Sequence, residues 1–157
     1  LQGRYPGRVQ LMNCGVGDED TTLSIGITDS LFDSSFAYGG KSSLAVPVHR
    51  LDTLHAQGKI PAASFIKVDV QGFERRVLEG GESLFRRADF ALLECQFFPF
   101  CKEMRFLDET IAHCSRLGLV PYEFVDLLRR PLDGAMGQCD ILFIQKGHAL
   151  VSDHRWA

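Results

Sequence analysis

Two kinds of apolar pattern alternate along the chain. Phe65-Ile66-Lys67-Val68, opened by Ser64, and Phe90-Ala91-Leu92-Leu93 are short, nearly continuous apolar runs, as buried strands require. Each runs straight into an acid, Asp69 and Glu94. Residues 8–13 predict a further strand ending in a loop over 14–18. Residues 21–25 alternate with period two, the mark of a half-exposed strand. Residues 44–48 are also extended, and Pro47, which lacks a backbone donor, assigns that strand to an edge. Residues 120–125 and 141–144 predict two last strands, joined by the polar stretch 126–138. Helical spacing appears after Gly72, where Phe73, Val77, Leu78, Gly81 and Leu84 make one stripe. It returns over 106–117, where Leu107, Ile111, Cys114 and Leu117 share a face and Gly118 suits the C-cap. Asp52 is placed to cap a short helix over 53–57 that stops at Gly58. Residues 30–43, rich in Ser, Gly and Asp, predict a loop.

This order predicts an α/β fold with a mostly parallel sheet, helices on its faces and an antiparallel hairpin at one edge. A β-hairpin insertion falls at about residues 20–50. The length of 157 residues fits one domain, 1–157. An apolar fraction of 45% is enough for a sizeable core. A net charge of −3 gives no electrostatic case for nucleic acid, and no apolar run approaches the roughly 20 residues of a membrane span. Cys14, Cys95, Cys101, Cys114 and Cys139 form no C-x-x-C pair, so free thiols and a reducing compartment, the cytoplasm, are expected. The five histidines are scattered and pair with no nucleophile.

The ten residues FIKVDVQGFE, Phe65 to Glu74, carry the most chemistry. In an open α/β sheet, ligands bind at the carboxyl ends of strands, so Asp69 points toward a site. A carboxylate there also stabilises turns by accepting backbone N–H bonds. Gln71 can donate or accept, Gly72 permits a tight turn, and Glu74 suits the first turn of a helix, where the dipole favours negative charge. Glu94 ends the neighbouring strand and can face Asp69 across a crevice. Such a pair can hold a divalent cation through oxygen ligands, although a metal-free role is favoured. Phe97-Phe98-Pro99-Phe100 follows and suits either an acceptor pocket or packing over the crevice.

FIKVDVQGFERRVLEGGESL resembles the strand-turn-helix signature of the FkbM family of S-adenosylmethionine-dependent methyltransferases, roughly I-K-[IV]-D-V-[EQ]-G-x-E-x-x-V-L-x-G-A, with Gly81 in place of the usual Ala. Leu51-Asp52-Thr53-Leu54, Leu92-Leu93-Glu94 and Asp140-Ile141-Leu142-Phe143-Ile144 match further family motifs, so the resemblance spans about residues 8–147. It implies a Rossmann-like class I methyltransferase fold with S-adenosyl-L-methionine as cofactor. The reaction implied is methylation of a hydroxyl oxygen on a small-molecule acceptor, such as a sugar or polyketide-like metabolite. It implies catalytic roles for Asp69 and Glu94, and cofactor contacts from Asn13, Cys14, Asp69 and Gln71. Asn13 equally suits a loop cap. The family's opening strand, glycine-rich loop and helix have no counterpart here, for Gly15-Val16-Gly17 is followed by no helix. The chain, which opens on Leu1 and without a signal peptide, therefore reads as the C-terminal portion of such a domain, lacking the N-terminal strand-loop-helix units. The absent first strand is expected beside residues 64–68, and its loss predicts an exposed edge. Two other classes stay open: a nicotinamide-dependent oxidoreductase, and a truncated non-catalytic domain.

Overall fold

Two sheets organise the chain. The computed structural model describes residues 4–29, 34–37, 40–99 and 101–156. A small sheet has the order β1-β3-β2, from β1 (Gly15–Val16), β2 (Thr21–Ile27) and β3 (Ser42–His49). A larger sheet has the order β4-β5-β7-β6, from β4 (Phe65–Val68), β5 (Phe90–Gln96), β6 (Leu119–Arg129) and β7 (Met136–Gln145). The helices are α1 (Leu51–Ala56), α2 (Glu74–Gly80), α3 (Glu82–Phe85), α4 (Leu107–Arg116) and α5 (Ala149–Ser152). Among the described residues, no helix is long and apolar enough to cross a membrane.

The fold is mixed α/β, but the large sheet is not mostly parallel. β4 and β5 run parallel, whereas β5–β7 and β7–β6 are both antiparallel. Helices intervene between β4 and β5 and allow the parallel return. The direct hairpin between β6 and β7 forces the opposite sense.

Period-two alternation sorts β5 into two faces. Ala91, Leu93 and Cys95 lie opposite Phe143, Ile141 and Cys139 of β7 and enter one core with Val77, Leu78, Phe85, Cys114 and Leu117. That core is the α2–α4 side of the sheet. All five cysteines are free, and Cys95, Cys114 and Cys139 are buried there as small apolar groups.

Several expectations need correction. Residues 8–13 form no strand: Leu11 and Met12 are exposed, and pairing begins only at Gly15, inside the expected loop. Pro47 lies in the middle strand of its sheet, yet β1 reaches only Val48 and His49, so among the described residues Pro47 has a strand neighbour on one side alone. Asp52 does not cap its own helix. Its carboxylate accepts from the amides of Ser83 (3.0 Å) and Leu84 (3.1 Å), capping α3, while Asp20 accepts from the Arg50 amide at the start of α1. Such a cap is worth about 1 kcal/mol. The single helix expected after Gly72 is two, broken at Gly81. At Gly80 a Cβ would stand 1.7 Å from the Gly17 carbonyl oxygen, so only glycine lets α2 approach β1 this closely. The polar stretch 126–138 is largely strand, because β6 and β7 extend well beyond the core. Part of the expected loop over 30–43 lies outside the described residues.

β4 is an edge strand. Its outer side has no strand partner among the described residues, and Phe65 is half exposed. The carboxyl ends of β4 and β5 therefore lie side by side at one end of the large sheet.

Candidate functional site at the ends of β4 and β5

β4 stops because the chain leaves extended geometry at Gln71, whose φ is +51°, and Gly72, whose φ is +93°. A left-handed residue costs about 1–2 kcal/mol when it is not glycine, and outliers of this kind gather at functional sites. The Gln71 conformation is held from outside: Ser35, itself buried, donates through Oγ to the Gln71 carbonyl at 2.6 Å. The Glu74 carboxylate closes the turn, accepting from the amides of Gly72 (3.1 Å) and Val70 (3.4 Å).

Asp69 faces outward. Its side chain is 45% exposed and sits 3.0 Å from Lys67 Nζ, which fits both residues on the face away from the core. Gln71 Nε2 reaches both acids, 3.2 Å from Asp69 Oδ1 and 3.5 Å from Glu94 Oε2. The turn thus brings Asp69, Gln71 and Glu94 together.

Glu94 is not the last residue of its strand, as the sequence suggests. β5 continues to Gln96, and Gln96 bridges to Phe106, so the chain folds over Glu94 and buries it. Burial pushes its carboxyl up to about 7, and the negative charges of Glu74, Asp69 and Asp140 add to the rise. Gln96 opposes it, donating through Nε2 to Glu94 Oε1 at 2.7 Å. Burial also raises the carboxyls of Glu74 and Asp140, the latter directly opposite Glu94 in the ladder with β7. A carboxyl near 7 is half ionised at neutral pH and is suited to taking up a proton.

The family model for the methyltransferase FkbM domain matches residues 3–117. The chain belongs to the FkbM methyltransferase family. The match covers the Asp69–Glu94 site and most of the core, and stops at the end of α4, short of the motif at 140–144. No curated protein and no solved structure gives a significant match.

An FkbM methyltransferase implies S-adenosylmethionine, and the donor set suits it in one respect. Four carboxylates, Asp69, Glu74, Glu94 and Asp140, collect negative potential that favours a cationic sulfonium. Asn13 is exposed, Cys14 precedes β1 of the other sheet, and among the described residues no hydrogen bond or ion pair links either to Asp69 or Glu94. Also among the described residues, no group of three His, Cys, Asp or Glu side chains is arranged to hold a metal ion.

Three residues of the site escaped sequence reasoning. Ser35 lies in a polar loop whose contact with Gln71 has no local signature. Asp140 reaches the site only through the β5–β7 register. Gln96 had a usable signal, for it stands two residues past Glu94 on the same strand face.

Proposed function

We propose that this chain is the part of an S-adenosylmethionine-dependent methyltransferase that carries the acid–base groups, and that it methylates a hydroxyl oxygen of a small-molecule or sugar acceptor. The observation that carries this reading is the buried Glu94, held near 7 and joined through Gln71 to the exposed Asp69 at the strand ends.

When bound, S-adenosylmethionine supplies a methyl group on a cationic sulfonium. Asp69 and Gln71, bonded to each other beyond the end of β4, would hold that end of the cofactor and orient the acceptor hydroxyl. Aligning the two reactants supplies most of the rate. As the acceptor oxygen takes the methyl, its proton passes to the ionised Glu94, whose affinity near neutrality fits that role. The leaving group would be a neutral thioether, which needs no proton from the protein.

The outer side of β4, without a strand partner among the described residues, supports the further reading that these residues belong to a larger methyltransferase domain, with the rest of the cofactor cradle supplied by other segments. The free thiols support a reducing compartment, which favours the cytoplasm.

The test is Asp69→Ala in the full-length polypeptide, assayed with methyl-labelled S-adenosylmethionine. Transfer is expected to fall by roughly 10–100-fold with the melting temperature unchanged, since an exposed side chain contributes little to stability. Unaltered turnover removes Asp69 from the mechanism. Equal turnover with no dependence on S-adenosylmethionine removes the reading itself.

A further inference from the structure

The peptide unit between Gln71 and Gly72 is pinned at both ends. Its N–H donates to Glu74 Oε1 at 3.1 Å, and its carbonyl accepts from Ser35 Oγ at 2.6 Å. We propose that Ser35, 36 residues upstream in the loop between β2 and β3, is a positioning residue of the site: it locks this peptide unit and so aims the Gln71 side chain at Asp69 and Glu94. The lock stands on geometry; its importance for transfer rests on the methyltransferase reading.

Chemistry settles the direction of the bond. A hydroxyl has one proton to give. Ser35 Oγ accepts from the Ala37 amide at 2.9 Å, and that contact uses a lone pair. A carbonyl oxygen can only accept, so the hydroxyl proton goes to Gln71. Ser35 is 1% exposed, and water does not compete for the bond.

Ser35 is itself anchored. Its amide and carbonyl both pair with Gly26 of β2, at 3.2 and 2.9 Å. The residues after it follow the turn in step. Phe36 meets Phe73 with ring centroids 5.3 Å apart, and a Cβ placed on Gly72 would stand 3.3 Å from the Ala37 Cβ. Ser35, Phe36 and Ala37 thus lie against Gln71, Gly72 and Phe73, and the small sheet is tied directly to the turn that ends β4.

The turn needs such a tie. Positive φ at both 71 and 72 suits glycine, but Gln71 carries a Cβ that crowds its own backbone there. A conformation of this kind persists only where its surroundings impose it. Released from Ser35, the peptide unit can rotate and Gln71 can return to negative φ. Its Nε2 would then leave Asp69 Oδ1, 3.2 Å away, and Glu94 Oε2, 3.5 Å away.

The test places Ser35→Ala in two backgrounds of the full-length polypeptide, the parent and Gln71→Gly. Glycine keeps the turn without strain and has no amide to aim. Transfer is measured with methyl-labelled S-adenosylmethionine and the methyl pyranosides of glucose, galactose and mannose as acceptors. In the parent, Ser35→Ala should lower kcat by roughly 10–100-fold. KM for the cofactor should stay within about twofold, because Ser35 touches neither reactant. In Gln71→Gly the same change should bring no further loss, since a residue that acts through Gln71 has nothing left to act on. The amide-to-Hα NOE within Gln71, strong only at positive φ, should weaken in Ser35→Ala. Should Ser35→Ala fail to fold, Ser35→Cys keeps the size with a weaker donor, and an intermediate loss is expected. An unchanged kcat, a Gln71 φ that stays positive, or an equal loss in both backgrounds overturns the proposal. If the parent transfers nothing to these glycosides, the reading of a sugar acceptor fails, and the NOE alone still decides whether Ser35 holds the turn.

Discussion

The carboxyl ends of β4 and β5 adjoin, yet they hold their acids under opposite conditions. Past Asp69 the chain turns away at once through Gln71, leaving the carboxylate nearly half exposed beside Lys67. Past Glu94 the strand runs on to Gln96, where Phe106 crosses it, and the carboxylate is left 9% exposed among other acids. The two positions look alike in sequence, an apolar run followed by an acid. What separates them is how far the chain travels before turning. The short exit leaves a charged, hydrated group fit for orienting. The long exit makes a desolvated group fit for exchanging a proton.

The strongest way to break this contrast is to neutralise the buried acid. Glu94→Gln keeps the shape and the neighbouring amide but cannot take a proton. In the full-length polypeptide we expect kcat to fall by roughly 10²–10⁴-fold, the range of general acid–base catalysis. Because Glu94 must be ionised to act, kcat/KM of the parent should rise with pH and level off above about 7, and the residual rate of the variant should be flat. A parent profile flat from pH 5 to 8 would show that the proton goes elsewhere.

The same substitution tests burial without any assay of activity. Glu94 has a higher proton affinity folded than unfolded, so between the ordinary carboxylate range and about pH 7 the folded state binds the extra proton. Stability from this group is therefore greatest at low pH and declines as pH rises through about 7. At about 1.4 kcal/mol per decade of proton affinity, a rise from 4.5 to about 7 makes the loss on the order of 3 kcal/mol. Glu94→Gln should be more stable than the parent at pH 8, with the gap closing toward pH 5, by denaturant titration. A constant gap across that range would place Glu94 in water and remove its difference from Asp69.

How much of this was legible in the sequence follows the same physics. The β4–turn–α2 unit was readable because its apolar run, glycine and helical stripe each report a local condition. The pairing of Asp69 with Glu94 followed from their shared place at strand ends. The burial of Glu94 did not, for it depends on Phe106 crossing from ten residues beyond Gln96. The outer parts of β6 and β7 were hidden because an edge hairpin beyond the core carries exposed residues on both faces, Tyr122, Phe124, Leu127 and Leu128 among them. The strand expected over 8–13 was misplaced because its alternation is not matched by a partner, and pairing starts only at Gly15.

The smallest effect lies on the exposed side. Lys67 and Asp69 are 3.0 Å apart, with about half of each side chain in water. Solvent screening holds such pairs to about 1 kcal/mol or less. A double-mutant cycle of Lys67→Met with Asp69→Asn should therefore give a stability coupling below about 1 kcal/mol, shrinking further as salt shortens the screening length. Transfer activity should divide differently: on the role proposed for Asp69, in which its carboxylate orients the reactants and the Lys67 ammonium only steadies it, Asp69→Asn should slow transfer far more than Lys67→Met. A coupling above about 2 kcal/mol that survives 1 M salt would mean that Asp69 is as desolvated as Glu94. The two strand ends would then be alike, and the division of labour between them would have no physical basis.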